Sequence, residues 1–275
     1  MKYTIEENGI TAEKNPFFNP VDTVCCGQLF RYNINDNAVT VYSKDKRCVI
    51  TENGDKYNIQ TNDPKYFANY LDFDRNYDII YNKLTDKGRI ADCLEYSKGI
   101  RILNQDPIET IFSFIISANN NIPRIQKIIG KLCEALGDNM GGYYAFPTLE
   151  ALSRQNEEFY KECGAGYRAA YIADTAKSLM QSDIESLRGL ETCELLKKLL
   201  LLKGVGPKVA DCIALFGFHK EDVFPVDTWI KKVYNCYFGH SDDPKLIRKE
   251  LTEIFGNLSG YMQQYLFYYQ REIDN

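Results

Sequence analysis

Hydrophobic and polar positions follow two different periods along this chain. Up to about residue 62, short β-rich segments alternate with turn signals such as Asn53-Gly54-Asp55, which predicts an antiparallel meander. From Pro64 onward, apolar residues recur with helical spacing, and no internal repeat is evident. Strands first and helices after indicate an α+β fold with segregated layers. The predicted strands are 29–34, 39–43, 47–51 and 57–60, and the main predicted helices are 107–118, 123–136, 169–180, 192–202, 207–216, 227–237, 244–255 and 260–271.

A glycine-rich turn separates two of the predicted helices. Residues 195–203 have an apolar stripe and a lysine-bearing face, Gly204 can end this helix in the left-handed conformation, and Pro207 fits the first position of the next one. The segment 195–216 is therefore a predicted helix-hairpin-helix. Backbone N–H groups of its turn could approach a phosphate closely, helped by the positive end of the second helix. The turn comprises Gly204, Val205 and Gly206.

Residues just beyond this turn could carry chemistry. Lys208 lies in the first helical turn, where the helix dipole and burial are expected to lower its pKa and make it a usable Schiff-base nucleophile. Cys212 lies four residues further on, on the same helical face. Asp227 ends a Pro-Val-Asp motif at 225–227 and is predicted to cap the helix that follows. Its carboxylate could also stabilise positive charge on a sugar ring. Alternatively, the segment only holds DNA, and Lys208 is one more phosphate contact.

This combination resembles the Gly/Pro-Asp motif of the helix-hairpin-helix DNA glycosylases, and within them the 8-oxoguanine glycosylases. Further matching blocks occur in the family's order: GQLFR at 27–31, QDPIE at 105–109, SANNNIPR at 117–124, GAGYR at 164–168, and Gln263 with Phe267. The resemblance implies an N-terminal antiparallel β-sheet domain (1–100) packed on a two-lobed all-helical body (101–275). The lesion pocket would lie between the two lobes.

The resemblance also assigns residues to that pocket, because such an enzyme must flip the damaged base out of the duplex. The carbonyl of Gly27 would accept a hydrogen bond from N7–H of the oxidised guanine, and glycine permits this close approach. Cys212 and Phe267 would sandwich the base, and Gln263 would read its Watson–Crick edge. If Cys212 is a thiolate, it would form a dipole over the base with Lys208.

A second set of matched residues concerns the duplex. Asn119 would lie beside the vacated space, Arg124 and Arg168 would read the orphaned partner base, and Tyr167 would be the wedge. Without the resemblance, the three asparagines at 119–121 predict a loop that caps the next helix, Arg168 a surface residue and Tyr167 a core residue. Trp229 replaces a histidine that animal members carry near a DNA phosphate, and an indole does not titrate near neutral pH.

Composition limits the partners and cofactors. The net charge of −5 argues against a nucleic-acid partner, but local basic residues can supply the phosphate contacts. The nine cysteines are scattered and odd in number, so all are expected to be reduced, and no Cys-x-x-Cys pair predicts zinc. Only Cys236 follows the aspartate, which excludes the four-cysteine iron–sulfur cluster of related glycosylases. The basic candidates are Arg124, Lys127, Lys131, Lys197, Lys198, Lys203, Lys231 and Lys232.

These features together predict a base-excision-repair enzyme that acts on double-stranded DNA containing 8-oxoguanine. Lys208 would attack C1′, expel the base opposite cytosine, and hold the sugar as a Schiff base that undergoes β-elimination. The alternatives are a monofunctional alkylbase glycosylase that uses water, and a non-enzymatic helix-hairpin-helix DNA-binding protein. No cofactor is expected, although a monovalent cation at the hairpin stays open. With no apolar run long enough to span a bilayer and no apolar signal-peptide stretch at 1–8, we expect a cytoplasmic monomer, nucleoid-associated in a bacterium.

Overall fold

The structure, a computed structural model, describes residues 1–85 and 90–274 and confirms the predicted α+β class. One six-stranded sheet lies in the first part of the chain, with the order β1-β2-β6-β5-β4-β3 and every pair antiparallel. Ile10 faces Ile59 across the β2–β6 pair, and Val39 faces Ile50 across β4–β5. The strands are β1 (Tyr3–Glu6), β2 (Gly9–Glu13), β3 (Tyr32–Asn35), β4 (Ala38–Ser43), β5 (Lys46–Asn53) and β6 (Lys56–Gln60).

Helices dominate the rest of the described residues, and within these ranges no helix is long and apolar enough to cross a membrane. Proline at the first helical turn marks the start of several of them, as its fixed φ favours. They are α1 (Pro20–Cys25), α2 (Pro64–Tyr70), α3 (Tyr77–Thr85), α4 (Ala91–Ser97), α5 (Pro107–Ser117), α6 (Ile122–Leu136), α7 (Leu149–Ser153), α8 (Glu157–Glu162), α9 (Arg168–Leu179), α10 (Thr192–Leu199), α11 (Pro207–Phe218), α12 (Thr228–Tyr237), α13 (Pro244–Phe255) and α14 (Ser259–Ile273).

The sequence-based prediction of the sheet was incomplete. It missed β1, β2 and the short helix α1, and it began the third strand at residue 29 instead of Tyr32. Leu29 and Phe30 are buried in the segment before β3, so their apolar character reflects packing and not a strand. In the body, the predicted helix 192–202 was too long, because α10 ends at Leu199 and the next residues form turns.

The buried apolar residues that the structure describes form two cores. One core lies under the sheet and ends at Phe73, apart from Leu103, whereas Tyr77 and the buried residues of α4 belong to the core of the helical body. α4 also packs on α14, where Ser97 Oγ donates to the carbonyl of Tyr265 at 3.0 Å. The domain boundary at residue 100 therefore stays a prediction.

A buried ion pair joins the sheet to the body. Arg31 Nη1 lies 3.2 Å from both carboxylate oxygens of Glu109 on α5, and the two side chains are only 8% and 6% exposed. The same guanidinium donates to the carbonyl of Tyr144, and the backbone N–H of Lys44 donates to Glu109. These bonds satisfy the charges and fix the sheet against α5.

This ion pair predicts a large effect on stability. Glu109→Gln should lower the free energy of unfolding by about 3 kcal/mol, because the buried guanidinium of Arg31 loses its counter-charge. The matched control is Glu52→Gln on β5, whose side chain is 66% exposed and which should change the free energy by less than about 0.5 kcal/mol. Urea unfolding followed by circular dichroism measures both variants. Equal small losses would contradict the structural importance of the pair.

Candidate active site

The predicted hairpin is present between α10 and α11. Gly204 has φ +83°, and a Cβ on it would lie 2.5 Å from Cδ2 of Tyr171, so both the backbone and the packing require glycine. Val205 is buried in the hydrophobic core, and this packing holds the turn in place. The N–H of Gly206, the N-cap residue of α11, has no acceptor within the described part of the chain. It is therefore free to bind an anion at the positive end of α11.

Lys208 and Cys212 share one face of α11, as predicted. Lys208 is half-buried, with Nζ 5.7 Å from the centroid of the Phe114 ring. Burial lowers the pKa of Lys208, but the Cys212 thiol and the Asp227 carboxyl more than offset this, so the pKa lies above its usual value. The prediction of a lowered pKa is therefore wrong for the free protein, because acidic neighbours outweigh burial.

The Cys212 thiol is neutral at neutral pH. It is buried in the core, and burial raises its pKa to about 11, although Lys208 opposes the shift. The hypothesis of a thiolate–ammonium dipole over the base is thus not supported in the free protein. What the geometry does provide is a soft, uncharged surface one turn from Lys208, suited to packing against a flat ring.

Asp227 is the N-cap of α12, as predicted from its position after Pro225. Its Oδ1 accepts a 2.9 Å hydrogen bond from the N–H of Ile230, which fixes the carboxylate in place. Burial raises the pKa of Asp227, while the N–H of Ile230 and the charge of Lys208 oppose the rise. A half-buried carboxylate held by a cap and facing a lysine can stabilise a developing cation nearby.

Gly27 lies in a loop of the N-terminal part that reaches the last helix. Its φ is +83°, and a Cβ there would lie 3.0 Å from Cε1 of Phe267 on α14. Glycine is thus required both by the left-handed backbone and by the close approach of the aromatic ring. The structure therefore brings these two predicted pocket residues into contact.

Two buried polar atoms near Phe267 have no hydrogen-bond partner among the described residues: Oε1 of Gln263 and Nη1 of Arg271. Native proteins rarely leave buried polar atoms unpaired, so such atoms indicate a ligand or water site. The Arg271 guanidinium lies 5.5 Å from the Phe267 ring, and its Nη1 is 3.6 Å from the Cβ position of Gly27. The sequence analysis missed Arg271, since an arginine in a last helical turn reads as an ordinary solvated residue.

The helices that carry the two halves of the site, α11 and α14, are in contact. A Cβ on Gly260 of α14 would lie 2.4 Å from Cδ1 of Leu215 of α11. Cys212 and Lys208 lie three and seven residues before Leu215, while Gln263 and Phe267 lie three and seven residues after Gly260. All four pocket residues are therefore within two turns of this contact.

The predicted duplex residues cluster around the start of α6 and the start of α9. Asn121 caps α6, accepting from the N–H of Arg124, so the asparagine run is the capping loop that its composition predicted. Asn119 is exposed with φ +51°, and Arg124 is exposed. Tyr167 is 56% exposed, so the prediction of a core residue from sequence alone was wrong.

Arg168 is buried, so the prediction of a surface residue from the sequence alone was wrong. It is only 2% exposed, and its guanidinium stacks 4.4 Å from the centroid of the Tyr167 ring. Nε donates to the carbonyl of Ala118 at 2.8 Å, and Nη2 donates to that of Asn119 at 2.7 Å. In the free protein, Arg168 therefore braces the loop before α6, and most of its donors are not available to a DNA base.

Metal-binding potential is low in the ranges that the structure describes. No group of three or more histidine, cysteine, aspartate or glutamate side chains there is placed to hold a metal ion. The nine cysteines have no disulfide partner, and only Cys193 and Cys236 are exposed.

Two family models match the chain. One describes the "HhH-GPD superfamily base excision DNA repair protein" and matches residues 112–257. The other describes the "8-oxoguanine DNA glycosylase, N-terminal domain" and matches residues 10–111. The helical body and the sheet part are thus each similar to a characterised family region.

Individual relatives agree with these matches. A probable N-glycosylase/DNA lyase of Methanothermobacter thermautotrophicus is 34% identical over 227 residues, which are 72% of this chain and 72% of the relative. The N-glycosylase/DNA lyase OGG1 of Arabidopsis thaliana is 35% identical over 198 residues, 65% of this chain and 54% of the plant protein. The chain therefore spans about half the length of that relative. One similar solved structure is that of the Clostridium acetobutylicum 8-oxoguanine glycosylase/lyase in complex with dsDNA containing cytosine opposite to 8-oxoG. It superposes on this chain with a TM-score of 0.94 and is 35% identical in sequence. The match covers 100% of this chain and 99% of that one.

The raised pKa of Cys212 predicts its reactivity. Iodoacetamide should modify Cys212 at a rate at least about ten-fold lower than the rates of the exposed Cys193 and Cys236. The thiolate is the attacking species, and burial also blocks access to Cys212. Mass spectrometry of partially alkylated protein near pH 8 gives the three rates. Equal rates would mean that Cys212 is ionised and accessible, and would restore the dipole hypothesis.

Proposed function

Because the chain belongs to the HhH-GPD superfamily of base excision DNA repair proteins, we propose that it excises 8-oxoguanine from double-stranded DNA and then cleaves the strand. The names of its relatives, N-glycosylase/DNA lyases, support both activities. The single observation that carries the proposal is the position of Lys208, half-buried at the start of α11 with the Asp227 carboxylate as its charge partner and the neutral Cys212 thiol on the same helical face.

Lys208 is proposed as the nucleophile. Its amine attacks C1′ of the lesion nucleotide, the C1′–N9 bond breaks, and the purine leaves. The attack needs a neutral amine and the departing purine needs a proton, so transfer of the ammonium proton to the purine balances the step. Transfer of a second proton from the nitrogen to the ring oxygen O4′ then breaks the C1′–O4′ bond, opens the sugar ring and gives the protonated Schiff base. Removal of a C2′ proton then expels the 3′-phosphate and cleaves the strand.

Asp227 is proposed to act on the sugar. As the C1′–N9 bond lengthens, positive charge develops on the ring, and a fixed carboxylate stabilises it without having to reorganise. The cap hydrogen bond to Ile230 supports this role, because it holds the carboxylate that faces Lys208. Structural capping and catalysis are thus compatible functions of one side chain.

The pocket groups favour an oxidised guanine. The unpartnered Oε1 of Gln263 is an acceptor, and the Watson–Crick edge of guanine offers the N1–H and N2–H donors that such an acceptor needs. A carbonyl at Gly27 would accept from the N7–H that only the oxidised base carries. Undamaged guanine would instead present a lone pair to that carbonyl, and a site built for a donor rejects the analogue that lacks it. Phe267 and Cys212 are proposed to cover the two faces of the ring.

The alternatives fit the site less well. A monofunctional alkylbase glycosylase would use water and would not need a half-buried lysine facing an aspartate. A non-enzymatic DNA-binding protein would need only the hairpin, and the buried unpartnered atoms of Gln263 and Arg271 would then have no purpose. Borohydride reduction separates the proposed enzyme from both alternatives, since only a Schiff base gives a covalent protein–DNA adduct, and base release without an adduct would identify the monofunctional glycosylase.

The opposite base is proposed to be read by Arg124. Cytosine offers acceptors at N3 and O2, which suit the guanidinium donors, whereas adenine presents a donor at N6 and would leave groups unpaired. Asn119 and Tyr167 are exposed nearby, which suits contacts in the vacated space. Arg168 was predicted to share the reading of the partner base, but its donors are occupied by backbone carbonyls in the free protein. Arg168 can contact the partner base only if DNA binding breaks its hydrogen bonds to these carbonyls.

The nucleophile assignment gives the first prediction of activity. Lys208→Gln should abolish base release and borohydride trapping while leaving DNA affinity within a few-fold, because the attacking amine is lost and the hairpin is kept. Lys245→Gln is a matched control: Lys245 also follows a proline at a helix start, but it is exposed on α13. The control should trap like the wild type. Trapping retained in Lys208→Gln would move the nucleophile to another residue.

The opposite-base assignment gives a second prediction. Wild-type protein should excise 8-oxoguanine roughly ten-fold to a hundred-fold faster opposite cytosine than opposite adenine, and Arg124→Ala should reduce this ratio. Single-turnover rates on duplexes that differ only in the opposite base measure it. Arg154→Ala, which removes an exposed arginine at the end of α7, should leave the ratio unchanged. A wild-type ratio of one would refute opposite-base reading, and an unchanged ratio in Arg124→Ala would exclude this residue from it.

A further inference from the structure

The hairpin motif occurs twice in the chain. Gly164-Ala165-Gly166-Tyr167-Arg168 precedes Gly204-Val205-Gly206-Pro207-Lys208 by forty positions, with two glycines and a basic residue at matching places. Both segments join two helices, α8 to α9 in the first case and α10 to α11 in the second. Only five residues carry the similarity, which is too short for a search based on apolar periodicity.

The two hairpins agree in conformation at their first glycine and in the burial of their middle residue, but they differ at the second glycine, where Gly166 has φ +60° and Gly206 has φ −88°. Gly164 has φ +96° and Gly204 has φ +83°, and the middle residues, Ala165 and Val205, are both buried. In the first hairpin, the N–H groups of Gly166 and Tyr167 have no acceptor within residues 1–85 and 90–274. The α8–α9 hairpin therefore presents free backbone donors at a helix start, as the α10–α11 hairpin does.

Helix α9 connects the two hairpins directly. Its Tyr171 ring packs against Gly204, Thr175 Oγ1 donates to the carbonyl of Lys203 at 3.3 Å, and Asp174 pairs with the Lys203 ammonium. The hairpin that begins α9 is thus held in a fixed position relative to the hairpin that precedes Lys208.

A basic groove lies beside the α8–α9 hairpin. Its volume is about 340 Å³, and three of its lining residues are basic while none is acidic. Lys127 and Lys131 lie three and seven residues after Arg124, so all three are on one face of α6, and all three are exposed. The groove is lined by Arg124, Lys127, Ile128, Lys131, Cys163 and Gly164.

We propose that this groove, together with the α8–α9 hairpin, binds the phosphate backbone of the DNA strand opposite the lesion. The inference rests on the proposed function, because it takes Arg124 as the residue that reads the opposite base. Arg124 Nη2 lies 3.8 Å from the Cβ position of Gly166, so that base and the groove adjoin. The lesion strand must lie at the other hairpin, where Lys208 reaches its sugar. The two hairpins then hold one strand each.

Arg168 takes the place in the first hairpin motif that Lys208 takes in the second. Lys208 serves the reacting sugar at its hairpin. Arg168 instead bonds the carbonyls of Ala118 and Asn119, which join α5 to the start of α6. Arg168 is therefore a positioning residue that fixes the α8–α9 hairpin against the helix carrying the groove lysines.

Binding of a duplex that contains a tetrahydrofuran abasic-site analogue opposite cytosine tests the proposal without chemistry. We expect Lys127→Gln/Lys131→Gln to weaken binding about ten-fold at low salt and to reduce the slope of log Kd against log salt by about 1 for each lysine. Lys56→Gln/Lys65→Gln removes the same charge from exposed sites on β6 and α2 and should leave the slope unchanged. Thermal unfolding of each variant checks that the fold is kept.

Neutral methylphosphonates in the DNA assign the strand. Placed opposite the lesion, they should abolish the difference between wild type and the groove variant; placed in the lesion strand, they should leave it intact. An unchanged salt slope in the groove variant, or a difference abolished only by lesion-strand substitution, would overturn the proposal. If the groove variant does not fold, weakening of wild-type binding by opposite-strand methylphosphonates alone supports the proposal, and no weakening overturns it. If wild-type protein formed no borohydride-trapped adduct with DNA, the proposed function would be refuted instead.

Discussion

The backbone of residues 25–28 is held by side chains from distant parts of the chain, and the proposed pocket depends on this constraint. The Gln28 amide donates to the carbonyl of Arg101 and accepts from the N–H of Leu103. Arg271 donates to the carbonyl of Cys25 at 2.7 Å, and Gln264 donates to that of Cys26. A carbonyl can discriminate N7–H from a lone pair only if it cannot turn away, and these bonds prevent such a rotation. The sheet part and the last helix are thus joined at the point where the base would be read.

The charges of the site are arranged for the bound state. In the free protein, the pKa of Lys208 is raised by its acidic neighbours, so the amine is stored as an ammonium ion. That form cannot attack, but it carries the proton that a leaving purine requires. Asp227 keeps its place through the cap bond and not through Lys208 alone, so the carboxylate stays fixed when the lysine changes its charge. In the proposed mechanism, activation of Lys208 therefore belongs to the complex, where the substrate supplies the proton acceptor.

Helix ends that depend on neighbouring residues in the sequence could be predicted from the sequence. Proline, glycine and capping residues gave the bounds of α5, α11, α13 and the Asp227 cap to within two residues. Strands β1 and β2 were missed because they are short, and most of β1 is exposed, which leaves little alternation to detect. The burial of Arg168 depends on carbonyls about fifty residues away, and the role of Arg271 depends on a loop near residue 25. No window of sequence contains both partners of either contact, which is why the fold class was predictable and these side chains were not.

An acidic chain can hold DNA if few contacts are placed well on both strands. A hairpin that binds only the lesion strand fixes the reacting sugar, but it leaves the partner base to be positioned by the duplex, which is weakened once a base has been flipped out. The exposed side chains of Arg124 and Tyr167 can contact the partner base only if the phosphate backbone of its strand is held at a defined distance from them. A second hairpin, fixed to the first through α9, supplies that distance from within the protein. The phosphate contacts of such an arrangement position the duplex, and the side chains between them read it.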